Sequence, residues 1–296
     1  MNYLMIKLLK VFLILLYLLG IALSQELHIL YTQNTNGVLQ NCNCPNTPLG
    51  GMEKRATFVS QWRKDHPNTI LLDSGDILSF NNIHAESDTK LLRAMEALNY
   101  SAVNIGDQEF SNGIQFLQTQ ITKKSIPWVT SNIEPTNNAA FIVPEMRVIN
   151  IVDLNVLIMG VIDSESFGFY NRVFGDLNLQ VISPIESIQK IYIKALTNEK
   201  VDLVILLSNL GYDADELLAQ ELDFIDVIIG GHSQHQFEQP QVINNTIITQ
   251  CGRNGQYVGH LELQFNQGKL TAHSGELIPM DLSIIDDEAM LKLISE

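Results

Sequence analysis

Five times along this chain a short apolar run ends in a polar loop: Gln33-Asn34-Thr35-Asn36-Gly37, Asp73-Ser74-Gly75-Asp76, Gly106-Asp107-Gln108-Glu109-Phe110, Ser208-Asn209-Leu210-Gly211 and Gly230-Gly231-His232-Ser233-Gln234. Taken singly, each is what a turn or a helix cap looks like. Five in series call for a fold whose strands end together, as in layered α/β domains, where the loops leaving the C-terminal strand ends converge to build the site. Apolar patterning predicts strands at 27–31, 69–72, 102–105, 201–207, 224–229, 246–250 and 257–265. It also predicts a hairpin of 147–152 with 156–161 across 153–155, and helices at 52–64, 90–98, 214–222 and 286–294. In 90–98, Leu91, Leu92, Met95 and Leu98 fall on one helical face. No repeat or linker interrupts residues 25–296, so one domain is expected there.

The chain has 296 residues, 46% of them apolar, which suits a sizeable core and excludes a disordered tail. With 33 acidic against 18 basic residues, its formal charge of -15 repels phosphate backbones, so nucleic acid is not an expected partner. Lys7 and Lys10 precede an apolar run at 11–22 and the small residues around Ser24. That pattern predicts a secretory signal peptide over 1–24, cut before Gln25, with an uncleaved anchor as the alternative. No later stretch approaches membrane-span length. The mature chain is therefore expected to be periplasmic or secreted, without membrane contact after cleavage.

Three cysteines, Cys42, Cys44 and Cys251, leave at least one thiol free, ligating or shared between chains. Cys42 and Cys44 stand too close for an unstrained mutual bridge, so a disulfide from either to Cys251 is expected. The alternative is a soft-metal or redox site built from all three thiols with His232. Gly50-Gly51 ahead of Lys54 and Arg55 suggests either an anion held at a helix N-terminus or a solvated basic face. Trp62 and Trp128 read as core residues, and the acidic tail from Asp286 as a surface helix.

Together with Gly50-Gly51-Met52-Glu53-Lys54-Arg55 and Asn112-Gly113, these loops give a chain that resembles the 5′-nucleotidase and UDP-sugar hydrolase branch of the calcineurin-like metallophosphoesterases. The resemblance implies an α/β fold, a four-layer α/β/β/α sandwich, and chemistry on two divalent metals bridged by an aspartate. Carried over by position, that aspartate is Asp76. Asn34 and Asn36 stand where the family has an aspartate and a histidine. Asp107 replaces a ligand asparagine, Gln108 the catalytic histidine and Asn209 a ligand histidine, whereas His232 and Gln234 match. The first metal position is thereby expected to be lost. Asp76, Asp107 and His232, with Asn209, would then retain at most one divalent cation, manganese, iron, magnesium or zinc. A helix cap at Asp107 and a simply hydrogen-bonded His232 are the plainer reading.

Nothing in the sequence matches the family's C-terminal domain that grips the nucleoside. The Cys-x-Cys after the first strand is similar to an exported subgroup associated with multihaem cytochromes. The expected function is accordingly non-catalytic or repurposed, as a periplasmic binding or assembly partner of redox proteins. A slow one-metal phosphomonoesterase and a cysteine-based site are the alternatives.

Overall fold

The computed structural model describes residues 25–296 apart from 42–43, 46–47, 81–83, 137–140, 176 and 199, so the segment expected to be a signal peptide and Cys42 lie outside the described residues. β1 (Gln25–Thr32), β2 (Thr69–Asp73), β3 (Ala102–Asn104) and β4 (Trp128–Val129) run parallel. Crossover helices join them: α1 (Met52–Asp65), α2 (Ala85–Ala97) and α3 (Ile114–Lys123). A long hairpin, β13 (Tyr257–Asn266) and β14 (Lys269–Pro279), closes the other edge of β1, giving the order β14-β13-β1-β2-β3-β4.

The second sheet has the order β11-β12-β10-β9-β7-β6. Its members are β6 (Arg147–Ile151), β7 (Leu154–Ile162), β9 (Leu203–Asn209), β10 (Val227–Gly230), β11 (Gln241–Ile243) and β12 (Thr246–Thr249). Helices α4 (Ser164–Phe174), α5 (Pro184–Asn198), α6 (Tyr212–Glu221) and α7 (Glu288–Ser295) complete the chain, with a small ribbon of β5 (Ile133–Pro135) and β8 (Leu179–Val181).

Period-two alternation sorts the strand residues into layers. In β1, Leu27, Ile29 and Tyr31 enter the core between the sheets, while Leu30 faces the helices of its own side. In β7, Val156 and Ile158 point between the sheets, and Leu157, Met159 and Val161 pack with Ile188 and Ile191 of α5. Both faces of the central strands are thus covered, which is why they read as largely continuous apolar runs. The expected four-layer α/β/β/α arrangement is the observed one.

Local departures have identifiable causes. The turn of the first hairpin is Val152-Asp153, both with left-handed φ (55° and 61°), and Ile151 pairs directly with Leu154. Leu154 therefore belongs to the strand, because its side chain is buried between the sheets. The strand 269–279 was not anticipated: it is an edge strand of mostly exposed, polar residues, held by its register with β13. Helices 164–174 and 184–198 were likewise not read from the sequence. The last helix is not wholly superficial, since Met290 and Ile294 are buried against the helical layer over the first sheet.

Candidate functional site

The five polar loops converge at the C-terminal ends of β1, β2, β3, β9 and β10. Asn34, Asn36, Asp76, His232 and Gln234 all adopt left-handed backbone, with φ between 47° and 63°. Such clustering of unfavourable backbone marks places where the surrounding structure dictates the geometry. Glu109 supplies much of that dictation: its buried carboxylate accepts the N–H groups of Asp76, Ile77, Leu78 and Gly106 at 2.6–3.3 Å. Gly106 is required sterically, because a Cβ there would fall 2.5 Å from Asp76 Oδ1.

Asp76, Asp107 and His232 present ligand atoms that all lie within 4.8 Å of one another. His232 Nδ1 is 3.2 Å from Asp107 Oδ1 and 3.7 Å from Asp76 Oδ2. Hydrogen bonds to Asp107 and Asp76 push the imidazole up to about 10, so it is a cation in the absence of metal. Burial pushes Asp107 up to about 6, against the pull of His232. Asn209, at the end of β9, donates to the Ser74 carbonyl at 3.4 Å. Its buried Oδ1 has no hydrogen-bond partner, and such an oxygen orphan beside two carboxylates and an imidazole is what a divalent cation satisfies.

The other side of the site is built from amides that hold one another. Gln108 Nε2 donates to Asn36 Oδ1 at 3.1 Å, and Asn36 Nδ2 donates to Asn254 Oδ1 at 2.9 Å. Asn34 accepts the His232 backbone N–H at 3.0 Å and donates to the Gly252 carbonyl at 3.1 Å. Gln234 Oε1 accepts from Arg253 at 3.3 Å. Asp107 makes no side-chain cap to the short 3₁₀ turn at Gln108–Phe110, so a capping role does not describe it.

The sequence reading missed Arg253, Asn254 and Ser166, whose Oγ lies 3.4 Å from His232 Nε2. A signal for the first two was present: Cys251-Gly252-Arg253-Asn254-Gly255 is a sixth polar loop behind an apolar run.

The thiols do not assemble as expected. Cys251 is a free, buried thiol, so no bridge from the Cys42–Cys44 segment reaches it, and Cys44 is engaged in a disulfide. Cys251 Sγ sits 3.0 Å from the Gln33 amide and donates to the Tyr31 carbonyl at 3.5 Å. Burial pushes the thiol up to about 12, which leaves it inert at neutral pH. Among the described residues, neither group of clustered ligands contains a cysteine. Lys54 and Arg55 form neither a solvated face nor an anion site. Lys54 is spent on Asp286 and the Ile284 carbonyl, and Arg55 is buried against Tyr100, Thr35 and Met95.

The architecture has close relatives. A 5′-nucleotidase precursor from Thermus thermophilus superposes with a TM-score of 0.80 at 23% identity, over 91% of this chain and 58% of that one. A calcineurin-like phosphoesterase from Bacillus subtilis gives 0.76 at 21% identity, over 92% and 96%. This is a calcineurin-like phosphoesterase fold of the 5′-nucleotidase type. In sequence, a snake venom 5′-nucleotidase from Naja atra is 28% identical over 92% of this chain and 56% of its own length. The chain spans about half the length of the curated relatives it matches. No family model matches it. Among the described residues no helix is long and apolar enough to cross a membrane.

Proposed function

We propose that this 5′-nucleotidase-type domain holds one divalent cation in place of two and binds an anionic ligand without useful turnover. One observation carries the reading. Asp76, Asp107 and His232 converge on a single point, whereas Asn34, Asn36, Gln108 and Gln234 are neutral amides already engaged. The carboxylates of Asp76 and Asp107, the His232 imidazole and the Asn209 carbonyl oxygen suit manganese, iron, magnesium or zinc. A cation there would polarise a phosphoryl oxygen and lower the pKa of a bound water.

The chain's own residues then fall short of catalysis. Gln108 has neither a proton to give at neutral pH nor a charge, and a positioned acid or base is typically worth about a hundredfold to ten-thousandfold. The amides at 34 and 36 add no anionic ligand, so the second cation has nothing to offset its charge. Arg253 stands at the rim beside Gln234, where it could meet an anion.

Export is supported by Lys7, Lys10 and the apolar run at 11–22, and a role beside redox proteins by the Cys42-Asn43-Cys44 resemblance. The test is metal analysis together with assays on 5′-AMP, UDP-glucose and an aryl phosphate. The expected result is one equivalent of manganese that Asp76→Ala removes, with no turnover. Robust wild-type hydrolysis abolished by His232→Ala would overturn this reading in favour of a one-metal phosphomonoesterase.

A further inference from the structure

At the other end of β1, away from the candidate site, lies a second concentration of imidazoles and carboxylates. His28 sits opposite Glu262 in the β1–β13 register, and His260 opposite Glu276 in the β13–β14 register. Glu26, two residues before His28, projects to the same face, which the last turns of α1 cover with Trp62 and His66. His28 Nε2 is 2.7 Å from Glu26 Oε1, His28 Nδ1 is 3.0 Å from His260 Nε2, and His260 Nδ1 is 3.5 Å from Glu276 Oε1. Three ligand atoms, one each from Glu26, His28 and Glu262, lie within 4.8 Å of one another. Among the described residues, no lysine or arginine forms an ion pair with Glu26, Glu262 or Glu276.

Counting protons shows what this row lacks. Two neutral imidazoles carry two N–H groups, but the row makes three contacts that each need a positive end. If His28 carries its proton on Nε2, His260 must give its own to His28, and the bare Nδ1 of His260 then faces the Glu276 carboxylate. If His28 carries it on Nδ1, its bare Nε2 faces Glu26 at 2.7 Å. Either a third proton or a cation in the row would resolve the conflict.

A divalent cation resolves it without one. Bound between Glu26, Glu262 and His28 Nε2, it turns the bare nitrogen into a ligand. His28 Nδ1–H then donates to His260 Nε2, and His260 Nδ1–H faces Glu276. A ligand histidine whose other nitrogen is oriented by a hydrogen-bonded partner is the usual construction around protein-bound transition metals.

We propose that Glu26, His28 and Glu262 form a zinc(II) site on the sheet face under the end of α1, oriented through His260 and Glu276 and separate from the candidate site. Two carboxylates and one imidazole leave a position for water, and zinc suits such a set. The cation would pin the start of β1 to β13 across the sheet, and a surplus of carboxylates would become a clamp. Trp62 reports on the site, because its ring lies 4.2 Å from His66, 4.4 Å from His260 and 5.9 Å from His28, centroid to centroid.

The experiment uses the full chain purified without a polyhistidine tag and carrying Asp76→Asn and His232→Gln, so that the candidate site cannot contribute. Zinc is titrated by calorimetry at pH 7.5, cobalt(II) by visible absorption and by quenching of Trp62 emission, with Trp62→Phe as the control. One zinc equivalent is expected. Affinity should fall about tenfold or more in Glu26→Gln and in Glu262→Gln, whose positions are accessible enough to spare the fold. Zinc should also raise the melting temperature of the parent chain and not of Glu262→Gln. Absence of saturable zinc binding, or binding that both glutamine variants leave unchanged, overturns the proposal.

Discussion

On the β1 side of the candidate site, Asn34, Asn36 and Gln108 are tied to Asn254, Gly252 and one another by amide hydrogen bonds. Across it, Asp76, Asp107 and His232 lean together, and among the described residues no lysine or arginine pairs with either carboxylate. Each side places two of its residues on left-handed backbone, Asn34 and Asn36 on one and Asp76 and His232 on the other. They differ in whether charge is left over. An amide carries donor and acceptor together, so a ring of amides can satisfy itself; two carboxylates cannot, and they hold a proton or a cation between them. The same scaffold therefore accommodates either outcome, and the chemistry of four side chains selects which.

The largest effect should come from converting the amide side. Asn34→Asp, Asn36→His, Gln108→His and Asn209→His together, made in a Glu262→Gln background, should raise the bound metal from one equivalent to two, measured by elemental analysis after exhaustive dialysis. A count that stays at one would show that the amide network is not what excludes the second ion.

Next in size is the frame shared by both sides. Glu109→Gln turns an amide NH₂ toward two backbone N–H donors in a fully buried position. That should cost about 3 kcal/mol in urea unfolding and weaken cation binding by displacing Asp76. Unchanged stability would mean that the loop holds its strained shape without the carboxylate.

A third expectation concerns pH and a carboxyl outside the cluster. Asp215 of α6 is completely buried beside Ser208, Gln250 and Gly230, neither oxygen makes a well-formed hydrogen bond, and burial pushes it up to about 8. The folded chain therefore keeps a proton that the unfolded chain releases near pH 4. Stability should decline as pH rises from about 4 to about 8, by up to roughly 1.4 kcal/mol per unit from this group, and level off above. Asp215→Asn should flatten that part of the profile in denaturant unfolding at a series of pH values. An unaltered slope would assign the decline to other carboxyls.

The smallest effect is expected on the amide side alone. Asn36→Ala breaks two hydrogen bonds and should cost about 1–2 kcal/mol without changing metal content. Loss of the cation in that variant would mean that the two sides act as one unit.

The layered fold was legible in the sequence because burial on both faces makes a strand an unbroken apolar run, as at 156–161 and 203–207. Strand 269–279 was not, because an edge strand with one solvated face carries no such run and depends on β13 for its place. For the site, the sequence identified the residues and their chemical types, and the loop at 251–255 was overlooked although it obeys the same rule as the other five.

What the sequence determined by itself was the inventory: which ligand positions carry charge, which carry amides, and that the thiols are odd in number. Only the tertiary structure decided the pairings. It buried Cys251 against Gln33 and left it free, spent Lys54 and Arg55 on partners inside the protein, and joined Asn36 to Asn254 across 218 residues. It also brought His28 beside His260, 232 residues apart, through the register of β1 with β13. Local patterning sets which way a side chain points along its own strand or helix. Who stands opposite it is set by strand order and register, which follow from burying two sheets and their helices at once.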